Sequence, residues 1–255
     1  MGGHRLDLGD SLPKVSVITA VHRGGHHFLR QAYASLRDQV LPSGWEWEWC
    51  LQEDGDSGVL DALPPEDRVL PGSGLPGRAA VARTMALARA TGSVVRTLDA
   101  DDVLLPGALA RDIEALGRVA WCTSACVDLL PDGSTRPGPY DPPAGPVAPG
   151  RFYAEQASDR LSVQANTFAA HTDLVRALGG WPALTGAETV GLLLAAEAVA
   201  PGEFIAEPSV LYRKHDAQTT AADRYWDKAE AAARMESVLA RAETLRRAGW
   251  RWRSA

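Results

Sequence analysis

Apolar residues in the first half of the chain form short runs that alternate with longer segments of helical spacing. Val15-Ser-Val-Ile-Thr19 is a β-rich run that ends in a polar loop. From Phe28 to Gln39 the apolar positions Leu29, Ala32, Tyr33 and Leu36 recur at the spacing of a helix, which Pro42-Ser-Gly44 closes. Trp45, Trp47 and Trp49 alternate with Glu46 and Glu48, the period of a half-buried strand, and the run continues into Leu51-Gln-Glu-Asp-Gly55. A third short strand is expected around Arg68–Leu70, followed by an alanine-rich helix over Ala79–Ala90 that Gly92 stops. Val94–Leu98 then reads as a strand running straight into Asp99-Ala-Asp-Asp102. Strands alternating with helices predict an α/β sheet with crossover helices.

Between 131 and 150 the pattern breaks. Seven prolines and four glycines in that stretch exclude helix and central strand, so it reads as a structureless segment dividing the chain into 1–130, 131–150 and 151–255. Beyond it, helices are expected at Thr172–Leu178 and Glu188–Val199, a strand at Val210–Lys214, and a long helix from about Ala221 to Arg247. No internal repeat is visible.

Composition narrows the classes. A chain of 255 residues with 45% apolar content can build one large domain or two small ones. The formal net charge of −6 argues against a nucleic-acid binder working through an overall positive field. The longest apolar stretch, Val190–Ala200, is interrupted by Glu197 and is too short to span a bilayer, and no signal-peptide-like run opens the chain. Three cysteines (Cys50, Cys122, Cys126) suit a reducing compartment, so a cytoplasmic location is expected. Cys122 and Cys126 read as buried thiols on one side of a strand, and the tryptophans at 45, 47 and 49 as packing on a sheet face. His22, His26 and His27 lack the spacing of a zinc site, and Gly72-Ser-Gly74 lacks the rest of a phosphate-loop fingerprint. The basic aromatic tail with Trp250 and Trp252 reads as a frayed helix end packed on the body in preference to a membrane contact.

In open α/β sheets ligands bind beyond the carboxyl ends of the strands, so Thr19–His22, Glu53–Asp56 and Asp99–Asp102 are expected around one crevice. An Asp-x-Asp at a strand end can hold a hard divalent cation between two carboxylates. Without one, two or three acids would repel a phosphate ligand, since unit charges 4 Å apart interact by about 4 kcal/mol at an effective dielectric near 20. The same residues equally describe a solvated turn with Asp102 capping a helix before Pro106.

The ordered set around these acids resembles the family-2 glycosyltransferases of GT-A fold. Val15-Ser-Val-Ile-Thr-Ala-Val-His22 is similar to their first nucleotide-binding strand and loop, and Ser35-Leu-x-x-Gln39 to the end of their first helix. Glu53-Asp-Gly-Asp56 resembles their Asp-Asp-Gly-Ser turn, Ala82-Arg-Thr84 their Ala-Arg-Asn, and Leu98-Asp-Ala-Asp-Asp102 their Asp-x-Asp segment. Gly179-Gly-Trp181 with Glu188 resembles their acceptor-side region, and Tyr212-Arg-Lys-His215 with Gln218 and Thr220 their late Tyr-Arg-x-His element.

The resemblance implies a Rossmann-like mixed sheet flanked by helices, a single domain with a nucleotide-sugar half and an acceptor half. It further implies a metal-dependent, inverting hexosyltransferase using Mn²⁺ or Mg²⁺, a nucleoside-diphosphate sugar and a hydroxyl acceptor. Thr19, Ala20, Val21 and His22 would line the base and ribose pocket, with Asp54, or Glu53 beside it, accepting from the base. Arg83 would reach the diphosphate, Asp99 with Ala100 would meet the ribose, and Asp101 and His215 would bind the metal. Glu188 would be the general base, although the family's Glu-Asp pair is Glu188-Thr189 here. A nucleotidyltransferase acting on sugar phosphates, or a sugar-nucleotide-binding protein without turnover, are the alternatives. Thr19–Gly25 fits the phosphate-gripping loop of the first poorly, and Thr189 motivates the second.

Overall fold

The computed structural model describes residues 12–63, 65–138, 141–216, 218 and 223–253. Pro139, Thr220 and Ala221, which figure in the expectations above, lie outside the described residues, as does the beginning of the chain.

The β-rich run around Val15–Thr19 forms β1 (Lys14–Val21), and the amphipathic segment after it forms α1 (Leu29–Arg37), which buries Leu29, Ala32 and Leu36. The tryptophan run is β2 (Glu46–Glu53), followed by β3 (Val69–Gly72), α2 (Arg78–Leu87), β4 (Val94–Thr97) and the two-residue β5 (Val103–Leu104). Next come α3 (Ala108–Leu116), β6 (Trp121–Leu129), β7 (Thr135–Pro137), β8 (Gly145–Pro146), α4 (Arg151–Ala157) and β9 (Ala169–His171). The chain continues through α5 (Thr172–Ala177), α6 (Glu188–Val199), β10 (Gly202–Arg213) and α7 (Lys228–Ala248).

The strands make one mixed sheet in the order β3-β2-β1-β4-β9-β6-β10-β5. The first four are parallel neighbours, β9 runs antiparallel to both β4 and β6, and β10 is parallel to β6 but antiparallel to β5. Apolar side chains cover both faces. Val15, Val17 and Trp49 pack with α1 and α3, while Ile18 and Cys50 pack on the opposite side with α2, α5, α6 and α7. A parallel strand covered on both faces is buried throughout, which corrects the expectation of a half-buried β2.

Glu48 shows how that burial is tolerated. Its carboxylate accepts hydrogen bonds from Ser16 Oγ (2.6 Å), Thr91 N (2.6 Å), Thr91 Oγ1 (2.6 Å) and Gly92 N (3.3 Å). Burial alone would raise its pKa, but these donors outweigh it and hold the carboxyl below its ordinary value. A Cβ on Gly92 would lie 2.5 Å from the Lys14 carbonyl oxygen, so only glycine lets this turn approach β1.

The proline-rich stretch is not structureless. β7 pairs antiparallel with β6, and β8 pairs antiparallel with β10 at Glu203 and Phe204. Prolines are tolerated there because both strands are two or three residues long and lie off the main strand path. Helix α7 begins at Lys228, later than the expected Ala221, because Asp227 accepts from Ala229 N and Glu230 N and caps it. Of the tail tryptophans, Trp252 packs its ring 5.1 Å from His171 and donates its backbone N–H to Val199 O, whereas Trp250 is exposed. All three cysteines are free and buried. No helix among the described residues is long and apolar enough to cross a membrane.

Candidate active site

The parallel register brings the carboxyl ends of β1, β2 and β4 together: Val21 pairs with Glu53, and Ile18 with Thr97. The loops leaving these ends hold one another. Asp54 N donates to Val21 O at 2.7 Å, and Leu98 N donates to Ile18 O at 3.1 Å.

Beyond β1 the residues separate by orientation. Thr19 points into the core, where its hydroxyl donates to Leu98 O (2.7 Å) and accepts from Trp49 Nε1 (2.8 Å). Val21 is likewise packed in the apolar cluster, so neither side chain lines a pocket; a central strand buried on both faces takes them inward. Ala20 is half-buried and His22 is exposed, its Nδ1 accepting from Gly24 N at 3.0 Å to cap a single 3₁₀ turn.

The two acids after β2 shape loops. Glu53 Oε1 accepts from Ser57 N (2.6 Å) and Ser57 Oγ (2.5 Å). Asp54 Oδ1 accepts from Gly77 N (2.6 Å) and Arg78 N (2.9 Å), which holds Arg78 at φ +64° at the start of α2. A non-glycine residue in that region costs energy and persists only where neighbours enforce it.

Arg83, on α2, is 6% exposed. Its guanidinium donates to Asp99 Oδ1 and to Glu188 Oε1, bridging the Asp-x-Asp segment and the first turn of α6. Burial pulls its pKa down, but the two carboxylates more than offset this and raise it. Both of its terminal nitrogens are thus engaged by partly buried acids, while its Nε is buried without a partner among the described residues. The Ala82-Arg-Thr84 and Gly179-Gly-Trp181 motifs also meet, since Thr84 Oγ1 donates to Trp181 O at 3.3 Å and lies 3.0 Å from where a Gly180 Cβ would sit. Trp181 is buried in the core.

Asp99, Asp101 and Asp102 each offer a carboxylate oxygen within 4.8 Å of the others. Asp102 is no helix cap: α3 starts only at Ala108, and the Asp102 side chain is buried, accepting from Asn166 Nδ2 (2.6 Å) and Arg213 N (2.9 Å). Burial and the charges of Asp99 and Asp101 push its pKa well above the ordinary carboxylate value. Burial and Asp99 raise Asp101 as well, while the His215 hydrogen bond pulls it back. Ala100 is buried between them.

From the other half of the chain, the end of β10 reaches over this cluster. His215 Nε2 lies 2.8 Å from Asp101 Oδ2, with its ring 5.0 Å from Phe28. Arg213 donates from Nε to Asp101 O (2.7 Å) and from Nη2 to Gln31 Oε1 (2.5 Å), and its guanidinium sits 4.6 Å from the Phe28 ring centre. The structure thus brings Asp99, Asp101, His215, Arg83 and Glu188 together. It adds Asn166 and Phe28, to which the sequence gave no site role, and gives roles to Asp102 and Arg213, which stood there only inside their motifs.

Asn166 has a further feature: its Oδ1 is buried without a partner among the described residues. A cluster of oxygen donors beside an orphaned buried amide oxygen fits a hard divalent cation such as Mg²⁺ or Mn²⁺.

No family model matches the chain. Over 106 residues it is 35% identical to the O-antigen biosynthesis protein RfbC of Myxococcus xanthus, a match covering 38% of this chain and 8% of that protein. Among solved structures, S. aureus TarS 1–349 in complex with UDP-GlcNAc is similar with a TM-score of 0.67 and 16% identity, over 93% of this chain and 73% of that one. The same protein in complex with UDP gives a TM-score of 0.64 at 17% identity, over 80% of this chain and 61% of that one. The chain thus spans only part of the length of the relatives it matches. Sheet order, flanking helices and these likenesses agree: the chain has a GT-A fold, the fold of S. aureus TarS.

Proposed function

We propose that the chain is a metal-dependent, inverting glycosyltransferase that moves a hexosyl group from a nucleoside-diphosphate sugar to a hydroxyl acceptor. The observation that carries this reading is the meeting of Asp99, Asp101 and Asp102 with His215 and Glu188 at the carboxyl ends of the parallel strands. TarS binds UDP and UDP-GlcNAc on the same fold, which makes a uridine nucleotide the first donor to try.

In this reading Asp101 and His215 hold the cation, with Asp99 turned to the ribose. A divalent cation there would supply positive charge to the departing diphosphate. Asp54 through Oδ2, or Glu53 beside it through Oε2, would accept from an N–H of the base, beside Ala20 and His22. Glu188 enters from the first turn of α6. With Oε1 held by Arg83, Oε2 takes the acceptor hydroxyl proton. The acceptor oxygen bonds to the anomeric carbon as the bond to the diphosphate oxygen breaks on the opposite face, which inverts the centre.

A second reading, donor binding without turnover, draws on one observation: the Arg83 contact to Glu188 beside Thr189 where the family carries a second acid. One experiment separates the readings. The chain is incubated with UDP-GlcNAc and a panel of other sugar nucleotides, with Mn²⁺ or Mg²⁺ and then with excess chelator. Metal-dependent release of nucleoside diphosphate is expected. Release of pyrophosphate would point to nucleotidyl transfer, and tight binding with no release to a binding protein.

A further inference from the structure

We propose that Arg78 is a positioning residue that ties the loop holding Asp54 to the turn delivering Glu188, so that nucleotide binding and the seating of Glu188 act on one another. This rests on the glycosyltransferase reading above and deepens it by joining the donor and acceptor sides of one site.

The backbone and the side chain of Arg78 serve different partners. Its N–H donates to Asp54 Oδ1 beside that of Gly77, while its Nη1 reaches the other way and donates to Thr185 O at 3.1 Å. Asp54 lies 24 positions before Arg78 in the chain, and Thr185 lies 107 positions after it. Two of the three non-glycine residues with positive φ among the described residues stand on this path: Arg78 itself at +64° and Ala187, next to Glu188, at +58°. Such conformations persist where neighbours enforce them.

The turn from Thr185 to Ala187 needs that enforcement. Ala187 is the N-cap of α6 and brings no side-chain oxygen, so the helix that carries Glu188 starts without a side-chain cap. Two helices grip the turn instead. α2 holds the Thr185 carbonyl through Arg78, and α7 holds the Thr185 hydroxyl through Glu230, which also accepts from Arg234 Nη1 at 3.3 Å. A Cβ on Gly186 would lie 2.5 Å from the Tyr225 ring, so the turn has little room to shift on that side.

Arg83 grips the Glu188 carboxylate itself, whereas Arg78 grips the main chain that leads to it, and both stand on α2. A ligand that alters how Asp54 holds the start of α2 therefore acts, through one side chain, on the turn before Glu188. Coupling of this kind is reciprocal: a seated turn favours bound nucleotide as much as bound nucleotide favours the seated turn.

Two measurements test this with Arg78→Gly, which keeps the N–H donated to Asp54, suits the positive φ and removes only the side chain. The first is amide hydrogen exchange over 187–192, without ligand and with UDP and Mn²⁺. Ligand-free exchange there should be about tenfold faster in Arg78→Gly than in the wild type, and UDP should slow it in the wild type alone. The second is turnover at saturating donor. Arg78→Gly should lower kcat by about 10–100-fold, the scale of a misplaced reacting group, yet cause no further loss in a Glu188→Gln background. A residue that merely supports the fold would lower both backgrounds by the same factor. The proposal is overturned by that equal loss, by wild-type exchange over 187–192 in ligand-free Arg78→Gly, or by bound UDP that protects the segment alike in both proteins. Failure of the wild type to bind UDP or to turn over would count against the glycosyltransferase reading instead, and the ligand-free exchange then decides the tie on its own.

Discussion

His215 Nε2 and Asp101 Oδ2 lie 2.8 Å apart although 114 positions separate the two residues in the chain. One comes from the loop after β4 and the other from the end of β10, so this pair joins the nucleotide half to the acceptor half. With a cation bound, both would turn to it. Asp101→Asn and His215→Ala should each weaken Mn²⁺-dependent binding of UDP by about 10–100-fold, as calorimetry in Mn²⁺ and in excess chelator would measure. Equal UDP affinity in both conditions for the wild type would remove the cation from the site.

Glu188 is the proposed base, and Arg83 fixes one of its oxygens. Glu188→Gln should lower kcat by about 10²–10⁴-fold with donor affinity nearly unchanged. Thr189 is buried, so Thr189→Asp places a second carboxyl next to Glu188 at a cost in stability. A large gain in turnover from that variant would mean that the natural chain is an impaired transferase. Wild-type turnover in Glu188→Gln would exclude the residue from the mechanism.

The proline-rich stretch lies next to the same strand end, since Lys214 N donates to Leu129 O where β6 leads toward β7. Replacing 138–144 with a short glycine linker keeps β7 and β8 paired. It should impair acceptor use far more than nucleotide affinity if the stretch covers the acceptor cleft. Kinetics with varied acceptor, set beside UDP calorimetry, would check it; equal loss of both would sink the idea.

Stability should also depend on acid through Glu48. Its folded pKa is depressed, so its contribution is present above the ordinary glutamate value and is lost as pH falls through the lower folded value. Glu48→Gln should therefore destabilise the chain at neutral pH by about 1–3 kcal/mol. The difference from wild type should shrink in acid, and denaturant melts across pH would show it. A constant difference would contradict the assignment.

Local pattern was enough for the elements whose signals lie within one segment: β1, α1, α2, α6 and the acids at the strand ends. It failed where partners are distant. Nothing near Glu48 in the chain says that the turn at Thr91–Gly92 will satisfy it, so the alternation of tryptophan and glutamate read as half-buried. Arg83 carries no local sign that it will lie between Asp99 and Glu188, nor Asn166 that it will donate to Asp102. Thr19 matched a motif position, but its side chain was claimed by Trp49 and Leu98 across the sheet. The Pro/Gly stretch correctly excluded helix, while its short pairings depended on edges that only the assembled sheet provides.

The two-residue strand β5 has a wider consequence. Val103 and Leu104 follow Asp102 directly, and they pair with Leu211 and Val210, just ahead of Arg213 and His215. Acids and histidine are thus mounted on the two arms of one hydrogen-bonded ladder, like the jaws of pliers set by a single pivot. A one-residue slip of that ladder would turn every side chain of β10 to the opposite face. Chimeras that exchange the second half of this chain for that of a relative should therefore be joined where this pairing survives intact, because the spacing of the jaws is inherited from it and not from either half alone.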